Sequence, residues 1–358
     1  MDIEASWMRG GTSKCWVFEA SALAQAGSTA DSLLPRLFGS PDAHQRDGVG
    51  GGTSTTSKAV ILERSERDGI DVDFTFAQVG IEEATVDWGS NCGNCSTTAG
   101  LFAVEHGWVP LGEPATRVTT YNTNTGQVIV QRVATPGGRL PEAPTGTMPG
   151  AVFPGHDVGL GFVDPAGRTT GATLPTGSAQ HVFTRDGRAH RASVVDAGAP
   201  LVVLSAENFG LRAADHAQWV HRVEPHLGVL DELRRAAAVA IGMADAPAAA
   251  ARAVPKICVV GPSPTEDADL QVLALSMGRP HPAMPITSSV ALTVASWTAG
   301  TLVEELVRGR AEDGLRLRTP AGVLRTFTDR TGADVLVGVG RTARTLATTV
   351  LHLSEAGR

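Results

Sequence analysis

At 358 residues the chain is longer than a single hydrophobic core usually grows, so two domains are expected. Hydrophobic residues make up 42%, enough for well-packed cores, and a net charge of −7 with no basic run interleaved with aromatics argues against a nucleic-acid partner. No charged-then-apolar leader and no apolar stretch of about 18 residues is visible, so a cytoplasmic chain with no membrane partner and reduced, scattered cysteines is expected.

The first informative segment is Arg9-Gly10-Gly11-Thr12-Ser13-Lys14, set between the apolar pieces Trp7-Met8 and Trp16-Val17-Phe18. Two glycines, two hydroxyls and a cation between short strands suit a carboxylate cradle, or else a plain hairpin turn. Next comes Gly50-Gly51-Gly52-Thr53-Ser54-Thr55-Thr56-Ser57-Lys58, running into the strand-like Ala59-Val60-Ile61-Leu62. A lysine at the start of a buried strand sits where desolvation and neighbouring donors depress its basicity, which makes it a general-base candidate. The alternative is a snorkelling lysine after a flexible loop. A phosphate-binding P-loop is excluded because the lysine follows the hydroxyl residues and the glycine spacing is wrong.

Asn91-Cys92-Gly93-Asn94, followed by the small residues Cys95 to Gly100, is the strongest signal. A thiol at the mouth of a helix meets unpaired backbone N–H groups, which favour the thiolate and also seat a carboxylate. Packing is the competing fate of any free cysteine, and it is the expected one for Cys15, Cys95 and Cys258. The helix is expected from about 94 to 107 and is apolar nearly all round, as a helix enclosed by a curled sheet must be. Strand-like runs at 72–76, 118–121 and 127–133 surround it, and Pro136 to Gly155 reads as a loop or linker.

The second half repeats the pattern. Runs at 194–195, 201–204, 256–260 and 270–275 read as strands, 231–243 as an exposed amphipathic helix, 246–253 as its continuation or a loop, and 288–302 as another small-residue helix. Two such helices with facing N-termini would focus positive potential on one cleft that prefers a di- or tricarboxylate. His181, His190, His216, His221 and His226 lack metal-ligand spacing and are expected to be solvated, so no metal is expected. No nucleophile elbow and no dinucleotide fingerprint occurs.

Several motifs in order resemble one family: Met8 to Lys14, Gly39-Ser40-Pro41-Asp42, Asp47 to Gly51, Thr56-Ser57-Lys58, Asn91-Cys92-Gly93-Asn94, Asn124-Thr125-Gly126, Leu174 to Gly177, Val254-Pro255-Lys256, Met277-Gly278, His281 and Arg341-Thr342-Ala343-Arg344. Together they resemble the PrpF-like family of 2-methylaconitate cis-trans isomerases, methylitaconate Δ-isomerases, aconitate Δ-isomerases and 4-oxalomesaconate tautomerases, over nearly the whole chain. The resemblance implies an α/β (α+β) fold of the diaminopimelate-epimerase type, with two pseudo-symmetric domains each curling a sheet around a central apolar helix. It implies domains at 1–182, with Lys58 and Cys92, and at 183–340, with His281 and Ser288, and a C-terminal segment 341–358 packing back on the first.

The same resemblance implies no cofactor and makes Lys58 and Cys92 the catalytic pair. Arg9, Thr12, Ser13, Thr56, Ser57, Asn91, Gly93, Asn94, His281, Thr287, Ser288 and Ser289 are the substrate-binding candidates. The partner implied is a small unsaturated polycarboxylate, and a homodimer is allowed. Two departures stand out: Cys15 replaces a glycine, and Thr287-Ser288-Ser289 replaces Thr-Gly-Ala at the opening of the second-domain helix, where Thr287 or Ser288 is expected to cap.

The expected reaction is a cofactor-free proton shift on an unsaturated di- or tricarboxylic acid, with Lys58 favoured as first base and Cys92 as partner or donor. A tautomerase of an oxo-substituted acid is the nearest alternative. A racemase would need a second, opposed cysteine that the 287–289 position lacks, and an accessory protein that binds carboxylates without turnover is a further alternative.

Overall fold

The computed structural model describes residues 2–89, 92–185, 187–307, 313–330 and 333–353. The chain forms two compact units, one running to Leu160 and resuming at Gly340, the other spanning Gly161–Val339.

In the first unit, β1 (Asp2–Gly10) and β2 (Ser13–Glu19) form the hairpin that the glycine pair suggested. Two short helices follow, α1 (Ala20–Ala24) and α2 (Ala30–Phe38), and then β3 (Lys58–Arg64), β4 (Val72–Val79) and β5 (Val86–Asp87). After α3 (Gly93–Glu105) come β6 (Ala115–Asn122), β7 (Gln127–Ala134) and β8 (His156–Val163). The sheet order is set by β1 antiparallel to β2, β2 parallel to β3, β3 antiparallel to β4, β4 parallel to β6 and β6 antiparallel to β7. The last strand of the chain, Leu336–His352, closes on β1 from its other side.

Every residue of α3 from Gly93 to Val104 is buried, and β1, β2, β3, β4, β6 and β7 all pack on it. A helix enclosed on all sides has no room for unsatisfied hydroxyls. Ser96, Thr97 and Thr98 therefore donate to the carbonyls of Cys92, Asn94 and Cys95 at 3.2, 2.6 and 2.7 Å.

The second unit reuses the same scheme. Its strands are β9 (His181–Arg185), β10 (Arg188–Ala197), β11 (Ala199–Ser205), β12 (Lys256–Pro262), β13 (Leu270–Ser276), β14 (Arg279–Pro280), β15 (Arg316–Thr319), β16 (Gly322–Asp329) and the start of β17 (Leu336–His352). From β10 through β11, β12, β13 and β15 to β16 the pairings run antiparallel, parallel, antiparallel, parallel, antiparallel, as in the first unit. Its helices are α4 (Trp219–Arg222), α5 (Leu227–Ala240), α6 (Ile286–Trp297) and α7 (Leu302–Val307). Helix α6 occupies the place of α3 and is buried from Ile286 to Ser296, with Ser289, Thr293 and Ser296 bonded back to helix carbonyls.

Some expectations shift. His190 and His216 are buried rather than solvated: His190 stacks on Phe209, and His216 contacts the Val272 carbonyl and the Trp219 edge, where burial pulls its pKa down. Helix α5 begins earlier than expected, and its Arg234 is buried because Asp231, one turn back, pairs with it at 2.9 Å. The alanine run forms only a short turn, Pro247–Ala249. Among the described residues, no helix is long and apolar enough to cross a membrane.

Candidate active site

The site is built on the first turn of α3. Cys92 is the residue before the helix, with extended backbone (φ −117°, ψ 94°), and no side chain caps the helix beneath it. The N–H groups that an uncapped first turn leaves without helical partners, together with its dipole, favour an anion. Gly10 of β1 lies against the same turn so closely that an added Cβ would sit 2.3 Å from the Asn94 carbonyl oxygen. Gly11, at φ +52°, turns the chain where a Cβ would collide with the Asn94 side-chain oxygen. Asn94 in turn donates through its amide to the Thr12 hydroxyl at 3.2 Å, and its own Oδ1 is buried without a partner among the described residues.

Lys58 opens β3 and is buried, as the sequence implied. Its Nζ donates to Oε1 of Gln78, its cross-strand partner on β4, and lies 4.9 Å from the centre of the Phe76 ring. The neighbour expected was a donor; the neighbour found is an acceptor, and Gln78 is itself fixed by donating to the Ser57 carbonyl at 2.8 Å. The Lys58 charge is near enough to act on the Cys92 sulfur and stabilise its thiolate.

The thiolate expected at Cys92 is not favoured overall. Contact with the Cys95 thiol, then burial, push the Cys92 thiol well above its ordinary value, and burial with a Cys15 contact does the same to Cys95. Helix geometry explains the pairing, since residues three apart face the same way. Cys95, read from sequence as packing, thus forms one link of a buried row of thiols that ends with Cys15 and Thr98. At rest Cys92 is a thiol, suited to giving a proton.

This predicts the effect of Cys95→Ala. Removing the contact lowers the Cys92 pKa, so alkylation of Cys92 by iodoacetamide speeds up at lower pH than in the wild type. Any turnover that needs protonated Cys92 falls off at lower pH. An unchanged alkylation profile against pH would remove Cys95 from the account.

The other candidates divide by unit. In the first, Ser13 is buried, opens β2 opposite Gly10 and so shares the face that looks toward α3. Arg9 lies on the opposite face of β1, with Nη1 donating to the Gly11 carbonyl and to the carbonyl and hydroxyl of Thr342 at 3.0–3.1 Å. Thr56 bonds Thr53 at 2.7 Å, and Ser57 is held between Gln45 and the Val79 carbonyl. Gly93 begins α3; Asn91 lies outside the described residues.

In the second unit Thr287, Ser288 and Ser289 occupy the first turn of α6, all buried. The expected cap does not form, because the helix starts at Ile286, two residues before the expected start, with Pro285 in the cap position, leaving Thr287 and Ser288 inside the helix. The Ser288 hydroxyl has no hydrogen-bond partner among the described residues. His281 accepts from the Ala283 N–H at 3.0 Å. Gln78 was not read from sequence at all, because only the β3–β4 register reveals it. Among the described residues no cluster of three His, Cys, Asp or Glu could hold a metal ion.

With this geometry in place, comparison with known proteins is decisive at the level of family. The PrpF protein family matches residues 1–353. The chain belongs to the PrpF family. It is 34% identical over 350 residues to a 2-methyl-aconitate isomerase of Shewanella oneidensis, spanning 90% of this chain and 88% of that protein. The crystal structure of a methylitaconate-delta-isomerase superposes with a TM-score of 0.83 at 30% identity, covering 98% of this chain and 95% of that one. A hydroxyproline epimerase from Agrobacterium vitis, at 13% identity and TM-score 0.55 over 99% and 93% of the two chains, shares the fold alone. This PrpF-family isomerase therefore has the diaminopimelate-epimerase type of fold, as the family resemblance implied.

Proposed function

We propose that the enzyme catalyses a cofactor-independent proton shift, cis-trans or allylic, on an unsaturated di- or tricarboxylic acid of the aconitate or methylaconitate kind. The observation that carries this reading is the placement of the Cys92 thiol at the uncapped start of α3, with the buried Lys58 opening β3, a strand that packs on that helix. An amine and a thiol there can exchange one proton with the same carbon skeleton.

In the forward sense, neutral Lys58 removes an allylic or α-proton. The electrons move into an enolate-like carboxylate, which the N–H groups of the first α3 turn stabilise because they are already oriented toward that negative charge. Cys92 then gives its proton to the other end of the allylic system, or to the same carbon after rotation. Proton transfer from Lys58 back to the thiolate resets the pair. Ser13 and the Asn94 turn hold a substrate carboxylate, and the Gln78 acceptor fixes where the Lys58 nitrogen points.

The test is incubation in D2O with 2-methylaconitate, trans-aconitate, a methylitaconate and a 4-oxalomesaconate, followed by proton NMR. Migration or inversion of a double bond in one of the first three, with deuterium entering product or recovered substrate, is the expected result. Turnover confined to the oxo acid would replace this reading with a tautomerase. Tight binding with no turnover and no exchange on any acid would reduce the chain to a carboxylate-binding protein.

A further inference from the structure

Arg341 is a cation that the proposed mechanism leaves without work. It is 5% exposed, its Nε is buried with no partner, and among the described residues it forms neither an ion pair nor a hydrogen bond. Arg234, the other arginine buried among the described residues, pairs with Asp231, and the half-buried Arg316 lies against the buried Asp269. An enclosed charge with no counter-charge is costly, and burial alone pulls the Arg341 pKa down to about 10, so the guanidinium still carries its proton at neutral pH.

Strand register says where this cation sits. On β17, Ala343 pairs with Gly10, and Gly10 is the residue pressed onto the first turn of α3. Alternate residues of a strand share a face, so Arg341 is on the α3 side of the sheet, as are Gly10 and Ser13. Thr342, between them, accepts from the Gly11 N–H at 2.9 Å and holds this stretch of β17 beside the turn of the hairpin. Ser13, likewise buried on this face, makes no side-chain hydrogen bond among the described residues.

We propose that Arg341 is a specificity-determining residue that seats one carboxylate of the substrate, at the edge of the hairpin that carries Ser13. Its planar fork takes a carboxylate through two parallel N–H···O bonds, which a lysine cannot reproduce. The ligand class is therefore a polycarboxylate with one carboxylate beyond those held by the α3 turn. The inference rests on the isomerase reading for its substrate, but its test needs no turnover.

The probes are tricarballylate, a saturated tricarboxylate that cannot isomerise, and two truncated forms of it, glutarate and methylsuccinate, each lacking one carboxylate. Binding is measured by calorimetry to the full chain. Arg341→Gln should weaken tricarballylate by about 10- to 100-fold, the worth of a charge-assisted hydrogen-bonded contact, while at least one truncated acid binds the variant and the wild type alike. Arg341→Lys should recover only part of the loss. Without ligand, the melting temperature of Arg341→Gln should be unchanged or higher, because an unmatched buried charge has been removed.

Equal weakening of all three acids, or of none, overturns the proposal. So does a lowered melting temperature in both variants, which marks a structural role; should only Arg341→Gln fail to fold, the lysine variant reads the same selectivity. Wild-type binding without isomerisation of any acid removes the isomerase reading and leaves the seat. Isomerisation that Arg341→Gln leaves unchanged, in KM as in kcat, removes the seat and leaves the isomerase.

Discussion

Cys92→Ala and Lys58→Ala each lower kcat on the true substrate by about 10²- to 10⁴-fold, the range that a single acid or base contributes to proton transfer. The two effects do not add. One proton leaves through one group and returns through the other, so removing either breaks the same cycle, and the double variant is little worse than the poorer single one. Cys92→Ser keeps an O–H in place of the S–H, but a hydroxyl is far less acidic, so it rescues little. Lys58→Arg keeps the charge next to Cys92 and yet cannot become a neutral base, so it separates electrostatic support from proton removal. These kinetics are read alongside thermal melting. Because Cys92 makes no cap bond to the helix, its truncation to alanine leaves α3 in place. Full turnover in both single variants would end the assignment of this pair.

Lys58 and Cys92 could be picked from sequence as candidates because each sits in a local context with its own physical meaning: a cation opening an apolar strand, and a thiol among small residues at a helix start. The repeated architecture was visible for a similar reason, since apolar runs and two small-residue helices recur in both halves. Gln78, the partner of Lys58, and Arg341, the proposed carboxylate seat, were not legible as candidates. Gln78 meets Lys58 only through the β3–β4 register, and Arg341 reaches the hairpin face only through pairing of the last strand with the first. Contacts of that separation leave no periodic trace in the chain. Cys95 lay between these cases: its spacing from Cys92 was in plain view, but only the helix geometry turns that spacing into a thiol contact that raises the pKa of its neighbour.

Gly10→Ala tests how the scaffold positions the chemistry, and a destabilisation of about 1–3 kcal/mol or more is expected from overpacking. The backbone of Gly10 is not in the left-handed region, so strain of its own conformation plays no part. The obstacle is packing. A methyl there meets the Asn94 carbonyl oxygen at 2.3 Å, the Thr97 hydroxyl at 2.6 Å and the Thr98 methyl at 2.9 Å. The first of these is backbone, and the second is bonded to that same carbonyl, so neither can swing aside. Either β1 or the first turn of α3 must move. A shift of the helix carries Cys92 and the N–H groups with it, and displacement of a reacting group by about 1 Å can lower turnover about 100-fold. Gly228→Ala is the matched control, a helix position with open space around the added methyl, and it should leave both melting temperature and turnover at or above wild type. If Gly10→Ala instead melted like the control and kept full kcat, close contact between β1 and α3 would not be what holds Cys92 in register with Lys58.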